Sequence, residues 1–173
     1  MFRKATAADL DAIERIYDKI HDAEDRGELV TGWISHVYPV RATAEAALQR
    51  GDLYVLEEEG RILGAGVINQ LQVDVYADAA WEYPAEDRDV CVFHTLTIDP
   101  TLHKSGCGTR FMRFYEDRAR EMGCHELRID TNARNAVARA LYQKLGYKEI
   151  GVVPTVFNGI PGVNLVLLEK HLD

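Results

Sequence analysis

The chain contains no apolar run long enough to cross a bilayer. Its first residues, Met1-Phe2-Arg3-Lys4-Ala5-Thr6, lack the long apolar core of a secretory signal, so a cytoplasmic protein is the default expectation. Cysteine is scarce: Cys91, Cys107 and Cys124 make an odd number with no Cys-x-x-Cys. That argues against a disulfide framework and against a zinc site, and no metal is expected. Positive charge is also in deficit, with 20 Lys+Arg against 28 Asp+Glu and a formal net charge of −8. Nucleic acid is therefore not an expected partner, because neutralising phosphates needs clustered Lys and Arg. The same acidity suits a cationic partner such as an amine, and serves solubility equally well. No linker, internal repeat or low-complexity segment divides the chain. Its 173 residues, 47% hydrophobic and 28% charged, are expected to form one domain over 1–173.

Periodicity gives an alternating order of elements. Phe2 to Ala5 reads as a strand, and Thr6-Ala7-Ala8-Asp9 as a capping box with Asp in place of Glu. Leu10, Ile13, Ile16, Tyr17 and Ile20 recur at helical spacing, predicting a helix from about Ala7 to His21. A second helix over Thr43–Arg50 stops at Gly51. Leu53–Glu57 and Ile62–Leu71 form a hairpin about Glu58-Glu59-Gly60-Arg61. Val73–Asp89 mixes Tyr76, Trp81 and Tyr83 with acidic residues; it either lines a pocket or packs its aromatics on a sheet. Two closing strands are expected, Glu149–Val153 ending at Pro154 and Val163–Glu169. The order β-α-α-β-β-β-α-β-α-β-β implies an α/β fold with a mixed sheet and helices on both faces.

Val90–Tyr147 is the informative stretch. An apolar strand, Val90–Ile98, ends at Asp99-Pro100 and gives way to His103-Lys104-Ser105-Gly106-Cys107-Gly108-Thr109, then to a helix reaching Met122. Backbone N–H groups at such a loop, with the positive end of the helix dipole, make an anion site. A nucleotide-binding P-loop is excluded because no lysine separates Gly108 from Thr109. A dinucleotide fingerprint is excluded because Phe111 stands where its third glycine belongs.

Three blocks in order narrow the choice: Leu96-x-Ile98-x-Pro100, His103-x-x-Gly106-x-Gly108, and Asn135-x-x-Ala138-x-x-Leu141-Tyr142-x-Lys144-x-Gly146-Tyr147. Together they resemble the GNAT superfamily of acyl-CoA N-acyltransferases. One departure is His103, where the family usually has Gln or Arg.

The resemblance implies a six- to seven-stranded sheet splayed between its fourth and fifth strands. It implies acetyl-CoA as cofactor and transfer of an acetyl group to a primary amine. Leu96, Ile98, His103, Lys104, Ser105, Gly106, Cys107, Gly108, Thr109, Asn135 and Ala138 would then lie along the cofactor. Asn135 also suits a helix N-cap, and Lys104 also suits a solvated loop position. By the same resemblance Tyr142 is the acid for the leaving thiolate; by periodicity alone it is a packing aromatic beside Leu141. Members often place a carboxylate base on the fourth strand, but Val90–Ile98 has no Asp or Glu. His94 is the candidate base, with a buried structural histidine as the alternative. Trp33, Tyr38, Tyr76 and Trp81 are the candidates for the acceptor side. The expected partner is a small amine. A catalytically silent acyl-CoA-binding module and a protein Lys or N-terminal acetyltransferase are the alternatives, and a homodimer is a possible assembly.

Overall fold

The computed structural model describes residues 1–173. In chain order it contains β1 (Phe2–Lys4), α1 (Leu10–Asp25), α2 (Arg41–Arg50), β2 (Leu53–Glu58), β3 (Arg61–Asn69) and β4 (Val90–Ile98). Then follow α3 (Cys107–Glu121), β5 (Glu126–Asn132), α4 (Ala136–Lys144), β6 (Lys148–Phe157) and β7 (Ile160–His171). The strands form one seven-stranded sheet in the order β1-β2-β3-β4-β5-β7-β6. Every neighbouring pair is antiparallel except β4–β5, which is parallel.

Strand alternation divides the core between two faces. Leu53 and Val55 of β2 join Ile13, Ile16, Tyr17 and Ile20 of α1 and Ala44 and Ala47 of α2. Tyr54 and Leu56 point the other way, to Phe111, Met112 and Tyr115 of α3. On β4 and β5, Cys91, Phe93, Leu127 and Ile129 also face α3 and α4. Val90 and Val92 face the opposite side, where Tyr76 completes a third cluster with Leu165 and Leu167 of β7. The Val73–Asp89 segment therefore covers sheet that α1 and α2 leave bare. Of the two readings of its aromatics, packing describes Tyr76, at 1% exposure, and Trp81, whose ring meets Tyr76 edge-on at 5.2 Å.

Several boundaries differ from the periodicity. A short 3₁₀ turn, Ala7–Asp9, precedes α1. There the Asp9 carboxylate accepts from the Thr6 N–H at 2.7 Å and from Arg3 at 2.8 and 2.9 Å. At its other end α1 runs past His21 to Asp25, because Ala23 is buried and His21 is fixed to the Pro39 carbonyl at 2.8 Å. In β6, Pro154 does not end the strand but pairs with Asn164. An edge strand tolerates a residue without an N–H, and β6 is the sheet's edge.

Candidate active site

Two irregularities on β4 open the sheet. The β4–β5 ladder holds only from Val90↔Glu126 to Phe93↔Ile129; beyond it, β5 continues to pair with β7 alone. Residues 94–98 of β4 thus have no ladder partner on the β5 side. Between Val67↔His94 and Ala65↔Thr97, β4 advances by one residue more than β3, a bulge. Thr95 sits in it at φ +52°, costly for a β-branched residue. The Tyr38 hydroxyl hydrogen-bonds Thr95 Oγ1. The result is a gap flanked by an unpaired strand edge, a form that can hydrogen-bond an extended amide chain.

The loop before α3 forms the second part. Lys104 (φ +61°) and Gly106 (φ +82°) are both left-handed, and Gly106 is the N-cap of α3. No acceptor in the protein receives the N–H groups of Gly106, Gly108 or Thr109, and the Cys107 N–H reaches only Ser105 Oγ at 3.4 Å. Donors turned one way at a helix N-terminus suit a phosphate or pyrophosphate. A Cβ at Gly108 would lie 3.1 Å from Leu141 Cδ2, so glycine there lets α3 and α4 approach.

One cavity of about 1230 Å³ joins these parts. Its wall runs from residues 103–109 through Leu96, Ile98, Asn135, Ala138 and Tyr142 in the gap. It continues to Trp33, Tyr38, residues 72–75 and the β6–β7 hairpin on the far side. Glu24 fixes one wall by accepting from Thr31 N–H (2.6 Å), Thr31 Oγ1 (2.8 Å) and Gly32 N–H (3.0 Å).

Asp130 lies in this wall at the point of splay. It follows Arg128 on the β5 face opposite Leu127 and Ile129, and accepts a hydrogen bond from the Tyr76 hydroxyl at 2.5 Å. Burial raises its pKa to about 6, even though the Tyr76 bond favours the anion. Tyr38 and Tyr142 also feel its charge. Burial foremost, and Asp130 in addition, hold the Tyr142 phenol protonated far above its ordinary value. Tyr38 is raised to about 12, chiefly by burial.

His94 borders the same cavity but is differently employed. Its Nε2 lies 2.9 Å from Asn69 Oδ1. That oxygen also accepts the Leu71 N–H at 3.0 Å, while Asn69 Nδ2 donates to Asp52 at 2.9 Å. The network assigns Nε2 as a donor. Burial lowers the His94 pKa to about 4. At neutral pH it is an uncharged ring and a weaker base than Asp130.

Every predicted cofactor-side residue lies in the cavity wall, as do Tyr142, His94, Trp33 and Tyr38. Tyr76 and Trp81 do not. Tyr76 is buried behind the wall and acts on the cavity only through Asp130; Trp81 is taken up by Arg128, whose guanidinium lies 4.1 Å above its ring. Asn135 caps α4, its Oδ1 accepting the Ala138 N–H at 3.1 Å. Asp130 is a carboxylate of the cavity wall that the sequence pattern did not single out. The fourth strand carries no carboxylate, whereas Leu127-Arg128-Ile129-Asp130 on β5 alternates apolar with charged residues in a central strand. Charge on one face of such a strand is itself a signal.

A mixed sheet split between parallel neighbours, with an N–H cradle at one end of the split, is the architecture of the acyl-CoA N-acyltransferases. The chain belongs to the GNAT acetyltransferase family: the Acetyltransferase (GNAT) family model matches residues 13–147. YjgM of Escherichia coli K12, named an uncharacterized N-acetyltransferase, is 28% identical over 103 residues, 59% of this chain and 54% of YjgM. The chain thus spans about half the length of that relative. Among solved structures, a GNAT-family acetyltransferase from Streptococcus agalactiae superposes with a TM-score of 0.81 at 20% identity, covering 100% of this chain and 95% of that one. YncA of Salmonella typhimurium, described as an acetyltransferase and solved with its cofactor acetyl-CoA, gives 0.67 at 22% identity, covering 100% and 94%. These two likenesses show the fold.

Proposed function

We propose that this protein is an acetyl-CoA-dependent N-acetyltransferase acting on the primary amine of a small acceptor. One observation carries the reading: a single cavity runs from the free N–H groups of the α3 loop, through the β4–β5 gap, to Asp130 and Tyr142. Acetyl-CoA, when bound, supplies the thioester whose acetyl group is transferred directly to the amine. The cradle at residues 103–109 holds its pyrophosphate, and the free edge at Leu96 and Ile98 takes its amide-bearing arm. A strand N–H at the same edge stabilises charge on the carbonyl oxygen.

An alkylammonium, with pKa about 10.4, must lose a proton before it attacks. Asp130 receives that proton. The transfer to a group near 6 is uphill in water, but burial of the ammonium lowers its own pKa and narrows the gap. Tyr142 keeps its proton on the phenol oxygen and donates it toward the leaving sulfur. Because the phenol is a weaker acid than a thiol, placement matters more than acidity. His94 orients the bulged strand through Asn69.

The test is release of free CoA from acetyl-CoA across diamines, amino acids, aminoglycosides and short peptides, with Tyr142→Phe beside the wild type. Turnover that depends on Tyr142 supports the enzyme. Acetyl-CoA binding by calorimetry without turnover of any acceptor would favour a silent acyl-CoA-binding module. Peptide turnover alone would favour a protein acetyltransferase.

A further inference from the structure

Charge is divided along the cavity. Its Lys and Arg residues, Lys104 and Arg134, sit on the loops that open α3 and α4, and the acid on the α3 side, Asp99, is neutralised by Lys19 and Arg61 at 2.8 Å. The far half carries Glu28, Asp74 and Asp130 in its wall, with no lysine or arginine. Glu28 is paired with Arg26 at 2.9 Å. Asp130 has Tyr76 as its hydrogen-bond partner and no cation.

Arg134 is exposed on the β5–α4 loop at the border of this half, and two cations on neighbouring elements are committed elsewhere. Arg50, whose charge reaches Tyr38 and His94, is held by Asp52 at 2.9 Å. Arg128, on the same β5 face as Asp130, lies over Trp81 and donates to Gln72 Oε1 at 2.5 Å and to the Tyr83 carbonyl at 3.3 Å.

An acceptor seated between Asp130 and Asp74 therefore meets two carboxylates and no lysine or arginine from that part of the wall. An amino acid would bring a carboxylate into this wall, lose its hydration and face a like charge. A diamine would present one ammonium to Asp130 and the other to the outer wall at Asp74. We infer that the acceptor is a cationic amine without a carboxylate, of the alkyl diamine class, and that Asp130 and Asp74 together set this preference. The inference rests on the acetyltransferase reading above.

Two matched pairs test it: cadaverine against lysine, and putrescine against ornithine. Members of each pair differ only by the α-carboxylate. Each diamine should exceed its amino acid at least about tenfold in kcat/KM, equivalent to about 1.4 kcal/mol. Equal or better use of lysine or ornithine would overturn the inference, as would a short peptide amine turned over ahead of both diamines; both results keep the acetyltransferase reading. Asp74→Lys should narrow the diamine preference at least about threefold, with KM for acetyl-CoA unchanged. An unmoved ratio would overturn charge as its cause. If no acceptor is acetylated, the acetyltransferase reading fails, and titration of the CoA-loaded protein with cadaverine and lysine decides the inference separately. Tighter cadaverine binding upholds it; equal binding, tighter lysine binding or no binding of either overturns it.

Discussion

The two halves of the cavity are built from different materials. The cofactor half is made of backbone: N–H groups at residues 106–109 and an unpaired edge on β4. The acceptor half is made of side chains from distant segments, with Asp130, Tyr38, Trp33 and Asp74 converging on one space. Backbone donors recognise what all acyl-CoA substrates share. Side chains can change without disturbing that cradle, so the proposed function puts specificity in the second half. If so, substitutions in the two halves should separate cleanly in their kinetics.

The largest expected effect lies where the halves meet. Asp130→Asn and Tyr142→Phe should each lower kcat about 10²- to 10⁴-fold, the usual range for losing a positioned acid or base, with little change in acetyl-CoA affinity. In the wild type, the acidic limb of kcat/KM should fall near pH 6, because Asp130 must be ionised and its pKa is about 6. His94→Gln should leave that limb in place. A limb that moves with His94 and not with Asp130 would return the base role to the histidine.

The cofactor half breaks differently. Gly106→Val puts a β-branched residue at φ +82° and a side chain beside the N–H cradle. The loop should relieve the ~1–2 kcal/mol cost of a left-handed residue by leaving that conformation, so acetyl-CoA, which needs it, should bind roughly 5- to 30-fold more weakly. The ratio between competing acceptors should not change. If acceptor preference shifts with Gly106, the two halves are not independent.

A smaller effect separates two carboxylates by the sign of their contribution to stability. Asp9, bound by Arg3, has its pKa lowered to about 2. Its contribution is complete above the unfolded pKa near 4 and is lost as pH falls toward 2. Asp130 is raised to about 6, so the folded state holds its proton more tightly. Stability falls as pH rises from about 4 to about 6, and the penalty persists above that window. At pH 7, Asp130→Asn should therefore raise stability by ~2 kcal/mol, and Asp9→Asn should lower it by a similar amount, as read from denaturant midpoints. Equal losses for both would mean that Asp130 is an ordinary structural carboxylate.

The same division explains what the sequence disclosed. Gly106, Gly108, Asn135 and Tyr142 belong to contiguous strand–loop–helix units, and all four line the one cavity. The mixed sheet and its splay between the fourth and fifth strands follow from the family resemblance those units carry. Nothing local announces the acceptor half. Gly32 shows why: a Cβ there would lie 2.2 Å from Asn132 Nδ2, a contact between residues a hundred positions apart. His94 and Asp130 share the broad polarity expected of a base, and only burial, ring contacts and strand face separate them. Trp81 failed for a related reason: an aromatic among acidic residues looks like a pocket, but Arg128, a residue forty-seven positions later, claims its ring.

That last contact supplies the smallest effect and the finest test of the division. Trp81 holds the Val73–Asp89 segment to the sheet through Arg128 at 4.1 Å and through its indole N–H, which donates to the Tyr76 carbonyl at 2.9 Å. Trp81→Leu removes both contacts and leaves Asp130, Tyr38 and the cradle in place. It should cost ~1–2 kcal/mol of stability, with KM for acceptor and for acetyl-CoA each within about twofold of wild type. Trp33→Leu makes the converse case, since Trp33 lies in the cavity wall and meets Tyr38 edge-on at 6.1 Å. It should raise the acceptor KM severalfold at a similar cost in stability. The pair carries the same chemical change, one copy behind the wall and one in it, so a kinetic difference between them reports position alone. Identical kinetics would mean that the acceptor does not reach the far half of the cavity.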